Sequence, residues 1–202
     1  RNNLIYNVGG AGIRQREETS LTQNVYYNNT IHNITEHGFQ VGASGGNLTF
    51  ENNIVSNTAG DAVHFGTPYP HTKVVDRNLY TGTNVGEWGW GNHLNFTNWK
   101  SQCGCDASSI TASPVYASTT PGNPNFLKLQ AGSPGINQGL TIPSVTVDFA
   151  GVARPQPPGG AYDIGGYEFI SATGTPPVVT ITAPNSGNDT SVTTTPLTTL
   201  AG

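Results

Sequence analysis

Arg14, Gln40 and His64 each follow an apolar residue, Ile13, Phe39 and Val63, and the intervals between them are 26 and 24 residues. If the three short apolar–polar segments are strands stacked in register, these three side chains form one outward column, with Arg16 two positions along from Arg14. His37 and Asp61 share a second column just ahead of the strands, with Glu36 beside His37, while Glu17 and Glu18 follow Arg16. Only 10% of the chain is charged, so this one side holds much of the charge available. Arginine beside histidine suits proton abstraction next to a carboxylate. Arg14 would neutralise a uronate carboxylate and acidify the adjacent C–H, and His64 or His37 would remove the proton. An imidazole fits that task because its unperturbed pKa lies near 6.5. Arg16, Gln40 and Asp61 are the expected substrate contacts.

Other chemistry is less well supplied. A glycoside hydrolase needs two carboxylates ~5–9.5 Å apart across a groove; Asp61 and Glu36 are the available pair. His32, His71 and His93 show no partner pattern and read as surface or turn residues. Tyr69, Tyr80, Trp88 and Trp90 read as core or cap packing before sugar stacking. No set of metal ligands is legible. The cofactor is unspecified, and calcium (Ca) is the one ion kept open. The competing reading of the whole column is a solvated polar face.

The column requires a repeating scaffold, and the sequence contains one. NNLIYNVGGAGI (2–13), NNTIHNITEHGF (28–39) and NNIVSNTAGDAV (52–63) share one pattern. The second asparagine falls at 3, 29 and 53, and Asn78 continues the beat at steps of 26, 24 and 25. The closing apolar residue keeps time at Ile13, Phe39, Val63 and Trp88. A period in this range marks a solenoid. The repeats are rich in Asn, Thr, Val, Ile, Tyr and Gly and have no helical spacing, which favours short strands. Three strands with turns use up about 25 residues at ~3.3 Å each, so the expected fold is an all-β parallel β-helix. Asn3, Asn29, Asn53 and Asn78 would then stack, as would Asn7, Asn33 and Asn57. Buried asparagine satisfies backbone groups at a turn and tolerates left-handed backbone angles.

The totals exclude several classes. With a net charge of −4 and no run of Lys or Arg among 202 residues, nucleic acid is not an expected partner. No apolar stretch approaches the ~20 residues of a membrane-spanning helix. Cys103 and Cys105 are too close for an ordinary bridge; they are either a local disulfide or two free thiols, and they decide no compartment. Two cysteines are also too few for a structural zinc site. The glycosylation sequons at Asn28, Asn33, Asn47, Asn95 and Asn188 arise partly from the repeat itself.

Beyond residue 98 the pattern changes. Trp99, Gly104-x-Asp106-x-x-Ser109-Ile110 and Pro114-Val115-Tyr116 precede Asn125-Phe126-Leu127-x-Leu129 and SPGINQG (133–139). Asp148-x-x-Gly151-x-x-Arg154-Pro155 and Asp163-Ile164-Gly165-Gly166-Tyr167-Glu168 close the run. This order resembles the C-terminal segment of bacterial right-handed parallel β-helix repeat proteins of the pectin-lyase-like superfamily, including those with a choice-of-anchor Q segment. Ser113, Gly135, Asn137 and Gly166 depart from that family's pattern. The resemblance covers about residues 2–169 and implies a right-handed helix and an extracellular or cell-surface location. It implies no single reaction, because one fold hosts many. The acidic triad of calcium-assisted pectate lyases and the paired-Asp, Gly-His-Gly and Arg-x-Lys sets of β-helix polygalacturonases are not legible.

Three segments follow: coils over 1–98, a C-terminal coil and capping segment over 99–170, and 171–202. In the second, Phe126, Leu127, Leu129, Ile136, Ile164 and Tyr167 are placed to cover open coil ends, and Arg154 is expected to be held by carboxylates. The third resembles the opening strands of an immunoglobulin-like module, or a tail that joins a neighbouring chain. Arg1 opens mid-repeat, so the chain reads as a fragment or as needing a partner at its N-terminal coil. The expected function is binding or cleavage of a polysaccharide or other glycan, with a uronate lyase as the leading chemistry. The rival is a non-catalytic structural or adhesive rod that self-associates through its ends.

Overall fold

The computed structural model describes residues 1–16, 23–43 and 45–171. Glu17, Glu18, Asn188 and the expected 171–202 module, but for Ser171, lie outside them. The repeat folds as a coil of three short strands. The first coil contains β1 (Leu4–Val8), β2 (Ile13–Gln15) and β3 (Asn24–Tyr27), and the second β4 (Thr30–Ile34), β5 (Phe39–Val41) and β6 (Leu48–Glu51). The third contains β7 (Ile54–Thr58), β8 (Val63–Phe65) and β9 (Lys73–Asp76). A fourth begins with β10 (Leu79–Tyr80) and β11 (Asn84–Trp88), then departs through β12 (His93–Asn95) and α1 (Phe96–Cys103) before β13 (Ile110–Thr111). Like strands stack in parallel: β1-β4-β7-β10-β13, β2-β5-β8-β11 and β3-β6-β9, with β12 antiparallel on β11.

Both asparagine ladders form, and they do different work. Asn3 and Asn29 Nδ2 each donate to the Oδ1 above, at 2.8 Å, and Asn53 Nδ2 reaches Asn78 Oδ1 at 3.1 Å. The same oxygens accept the backbone N–H groups of Asn3, Asn29 and Asn53, so this inner ladder satisfies turn donors that no strand can reach. Asn7, Asn33 and Asn57 form the outer, exposed ladder through 2.7 and 3.0 Å bonds. The left-handed backbone belongs to the outer ladder (φ 53–57°) and to Asn2, Asn28, Asn52 and Arg77 at the corners. The inner ladder is held by hydrogen bonds alone.

Ile31, Val55 and Tyr80 fill the lumen together with Phe39, Val63, Leu48, Phe50 and Val75. Phe39 and Phe50 stack with ring centroids 4.4 Å apart. The fourth coil is closed by α1. Asn95 caps its start by accepting from Asn98 N, and Gly104 ends it at φ 60°. That places Trp99, fully buried, and Cys103 against the core. Burying ~200 Å² of indole at ~25 cal/mol/Å² contributes about 5 kcal/mol. Cys103 and Cys105 form a disulfide, which resolves the two-way reading of the pair.

Residues 112–171 do their covering along the flank of the coils rather than across an open end. Ile164 packs with Ile54, Leu79 and Leu129, Tyr6 meets Phe126 edge-on, and Tyr116 bonds Ser56. Asn28 and Asn52 donate to Asp163 and Leu140 carbonyls on this segment. The first sheet is therefore covered on both faces: Ile31 and Val55 pack in the lumen, and Ile54 packs against the flank segment. Arg154 is locked as expected: it pairs with Glu168 and donates to the Asp163 and Gly165 carbonyls. Asp148 is taken up by the N–H groups of Ala150, Val152 and Glu168.

Candidate active site

The outward column of the second sheet is Arg14, Gln40, His64 and Glu87. The register pairs Arg14 with Gln40, Gln40 with His64 and His64 with Glu87. The sequence pattern supplies the first three and misses the fourth. It places Trp88 opposite Val63, whereas the residue opposite Val63 is Gly86, and Trp88 lies opposite Phe65. The cause lies in the core. A Cβ on Gly86 would come within 1.9 Å of Trp99 Cε3. The indole from α1 thus fills the volume that an apolar side chain (Ile13, Phe39 or Val63) fills in the other coils, and position 86 must be glycine. The strand then turns Glu87 outward beside His64.

Arg14, Gln40 and His64 line an open groove of ≈ 960 Å³, together with Arg16, Glu36, His37 and Trp90. Glu87 does not line the groove itself; it is almost fully buried and touches the two histidines that do. Its Oε2 lies 2.5 Å from His64 Nδ1 and 3.3 Å from His37 Nε2, and its Oε1 accepts the Gly91 N–H at 2.6 Å. The two imidazoles stack, 4.9 Å between centroids. Trp90 covers His64 at 4.5 Å, so His64 is only 1% exposed while Trp90 is 76% exposed. Gly89 and Gly91, at φ +72° and +79°, give the sharp turn that folds Trp90 back over the site.

Burial pulls the His37 pKa below its ordinary value, and the neighbouring His64 adds to this; Glu87 and Asp61 oppose it without prevailing. Neutral imidazole is therefore favoured at His37. Burial pushes Glu87 upward, but the Gly91 N–H and the histidine pair outweigh it, so its carboxyl ionises below the usual range. At the rim, Arg14 pairs with Glu36 at 2.7 Å, both partly exposed. Such a pair is weak enough for a ligand carboxylate to displace.

Arg14, Arg16, His37, Gln40 and His64 are thus brought together. Asp61 comes close to Glu87 but does not line the groove: it is buried, faces a separate cleft with Thr58 and Thr83, and bonds His93 Nδ1 at 2.6 Å. His93 comes from the antiparallel β12, which no repeat register foresees, and Asp61 holds its pKa above the ordinary value. His32 likewise has partners, in Ser56 and the ring of Tyr116. Of the aromatic residues assigned to packing, Tyr80 does lie in the core, whereas Trp90 lies on the groove. One donor atom from each of His37, His64 and Glu87 falls within 4.8 Å of the others, a set absent from the sequence reading. Two imidazoles do not suit calcium, which takes oxygen ligands.

Residues 1–98 match the family model for the right handed beta helix region. Those residues fold as a right-handed parallel β-helix. The match covers the coils that build the groove. Comparison with curated proteins and with solved structures finds no match.

Proposed function

We propose that the groove of this β-helix binds an acidic polysaccharide and cleaves it by β-elimination at a uronate residue. The observation that supports a site here is the groove's floor. Among the described residues, five buried side-chain polar atoms have no hydrogen-bond partner, and three of them, Gln15 Nε2, His37 Nδ1 and Gln40 Oε1, belong to groove residues. Each such atom costs ~1–3 kcal/mol, which a fold does not carry for stability. Gln40 stands in the outward column and is the one of the three placed to turn toward an extended polar ligand; Gln15 is in register with the core residue Val41.

In this reading Arg14 and Arg16 take up the uronate carboxylate and stabilise the charge that develops on it. His64, its Nδ1 held by Glu87, keeps Nε2 as the basic nitrogen, the arrangement in which a carboxylate fixes tautomer and orientation. It removes the proton α to the carboxylate. The new double bond forms as the glycosidic C–O bond at the β carbon breaks, and the departing sugar oxygen gains a proton. Trp90 must swing away for His64 to be reached, and its exposed face is available to a sugar ring. An extracellular or cell-surface setting is part of the proposal, supported by the Cys103–Cys105 disulfide.

The test is the ultraviolet absorbance of unsaturated uronate product from a panel of uronate polymers, with the full chain as enzyme. His64→Asn should lower kcat by ~10²–10⁴. Salt-sensitive binding without product would make this a binding module; neither binding nor product would refute the reading.

A further inference from the structure

We propose that His37, His64 and Glu87 form a binding site for a divalent transition-metal ion of the zinc class. The donors are His37 Nε2 and His64 Nδ1, 3.3 and 2.5 Å from Glu87 Oε2, and one donor atom of each residue lies within 4.8 Å of the others. Two imidazoles and one carboxylate are the N/O set that zinc takes when three protein ligands leave a fourth position open. Bond lengths near 2.0–2.1 Å in a tetrahedron place ligand atoms about 3.3 Å apart. His37 Nε2 and Glu87 Oε2 are already 3.3 Å apart, and His64 Nδ1, at 2.5 Å from the same oxygen, has to open by less than an ångström.

The surroundings match what a ligand set needs. Ligands must be a neutral imidazole and an ionised carboxylate, and Glu87 is held as an acceptor by the Gly91 N–H. That N–H, on Glu87 Oε1 at 2.6 Å, also fixes the carboxylate from behind, as outer-shell partners do. All three residues are nine-tenths buried, so the ion would be held away from bulk water, and the groove supplies the open side. Nitrogen donors select zinc, cobalt, nickel or copper over calcium and magnesium.

A second donor set shares Glu87, with Asp61 and His93. It is the weaker candidate, because Asp61 and His93 already satisfy one another and His93 is half exposed. Metal binding does not depend on the elimination chemistry. One consequence does rest on that reading: an ion on His64 Nδ1 leaves the proton on Nε2, so the loaded protein lacks its base.

The experiment is titration of the chelator-stripped full chain with zinc, followed by calorimetry, and with cobalt, followed by visible absorption. One equivalent should bind at micromolar dissociation constant or tighter, with a tetrahedral cobalt spectrum and no uptake of calcium. His37→Gln should weaken binding by at least about 100-fold, beyond the ~10–100-fold typical of losing an outer-shell partner. His93→Ala, at an exposed position, should leave affinity within a few-fold. X-ray absorption of the zinc-loaded wild-type chain should find two imidazoles, and it decides the matter even where a variant misfolds. Absence of stoichiometric uptake, fewer than two imidazoles on the metal, or loss in His93→Ala rather than His37→Gln would overturn the assignment. None of these results bears on whether uronate polymers are cleaved.

Discussion

Replacing Asn53 with alanine tests what holds one coil to the next. Asn53 is fully buried and belongs to the inner ladder. Its Oδ1 accepts the backbone N–H of Asn29 at 2.9 Å and Asn29 Nδ2 at 2.8 Å, and its Nδ2 donates to the carbonyls of Tyr26 and Glu51. Alanine leaves both Asn29 donors facing the interior with no acceptor. The Glu51 carbonyl keeps the Asn28 N–H, so it is not stranded. Two stranded buried donors at ~1–3 kcal/mol each give a loss of about 4 kcal/mol. Backbone conformation adds nothing, because position 53 is not left-handed. Asn57→Gly on the outer ladder is the matched comparison: it removes a 3.0 Å bond to Asn33 in water, and glycine accepts the φ of 53° found there. It should cost ~1 kcal/mol or less. Urea denaturation measures both, and a 4 kcal/mol loss is a large part of the ~5–15 kcal/mol typical of a domain. If Asn53→Ala costs under ~1 kcal/mol, or no more than Asn57→Gly, then the ladder is ornament and the account of coil stacking fails.

Three further outcomes follow from other contacts. Gly86→Ala puts a methyl within 1.9 Å of Trp99 Cε3, so the indole must leave its place; the cost should reach ~3 kcal/mol, and near-ultraviolet circular dichroism should lose the Trp99 signal, whereas an unchanged spectrum would contradict the packing. Asp106 is fully buried, and burial pushes its carboxyl up to about 6 against hydrogen bonds from Ser109, Trp99, Asn78 and Tyr80. Between the ordinary value of 3.8 and about 6 the unfolded chain has shed a proton that the folded chain retains, so stability falls as pH rises through that window and levels off above it. The fall is about 3 kcal/mol, and Asp106→Asn should remove it; parallel pH profiles for the two proteins would count against it. Trp90→Ala should weaken uronate-polymer binding by about 1 kcal/mol, roughly fivefold, read by calorimetry, and an unchanged affinity would exclude Trp90 from the binding face.

Periodicity makes legible whatever each coil repeats. Asn29 and Asn53 could be read because a polar residue in step with the apolar beat has to be satisfied by its own copies above and below. The groove's Arg14, Gln40 and His64 could be read for the same reason, since a parallel stack fixes their column once Ile13, Phe39 and Val63 are aligned. Glu87 could not, because the step from β10 to β11 is shorter than in the preceding coils, Leu79 to Gly86 against Ile54 to Val63, and the interior there is completed by the inserted helix. Trp88 imitates the missing apolar beat, while the residue that fills the space is Trp99, delivered by a helix with no counterpart in the other coils. The Asp61–His93 pair escaped for a related reason: it joins a repeated corner to β12, the one antiparallel strand packed on the described coils. The direction taken by the flank segment could not be read, because Asn28–Asp163 and Ile54–Ile164 are contacts between segments of unlike sequence. The departures from the repeat thus hide Glu87, Trp90 and His93 from a reading by period. Glu87, which converts two stacked imidazoles from polar surface into a centre able to hold a proton or an ion, enters the column at the coil where the repeat breaks.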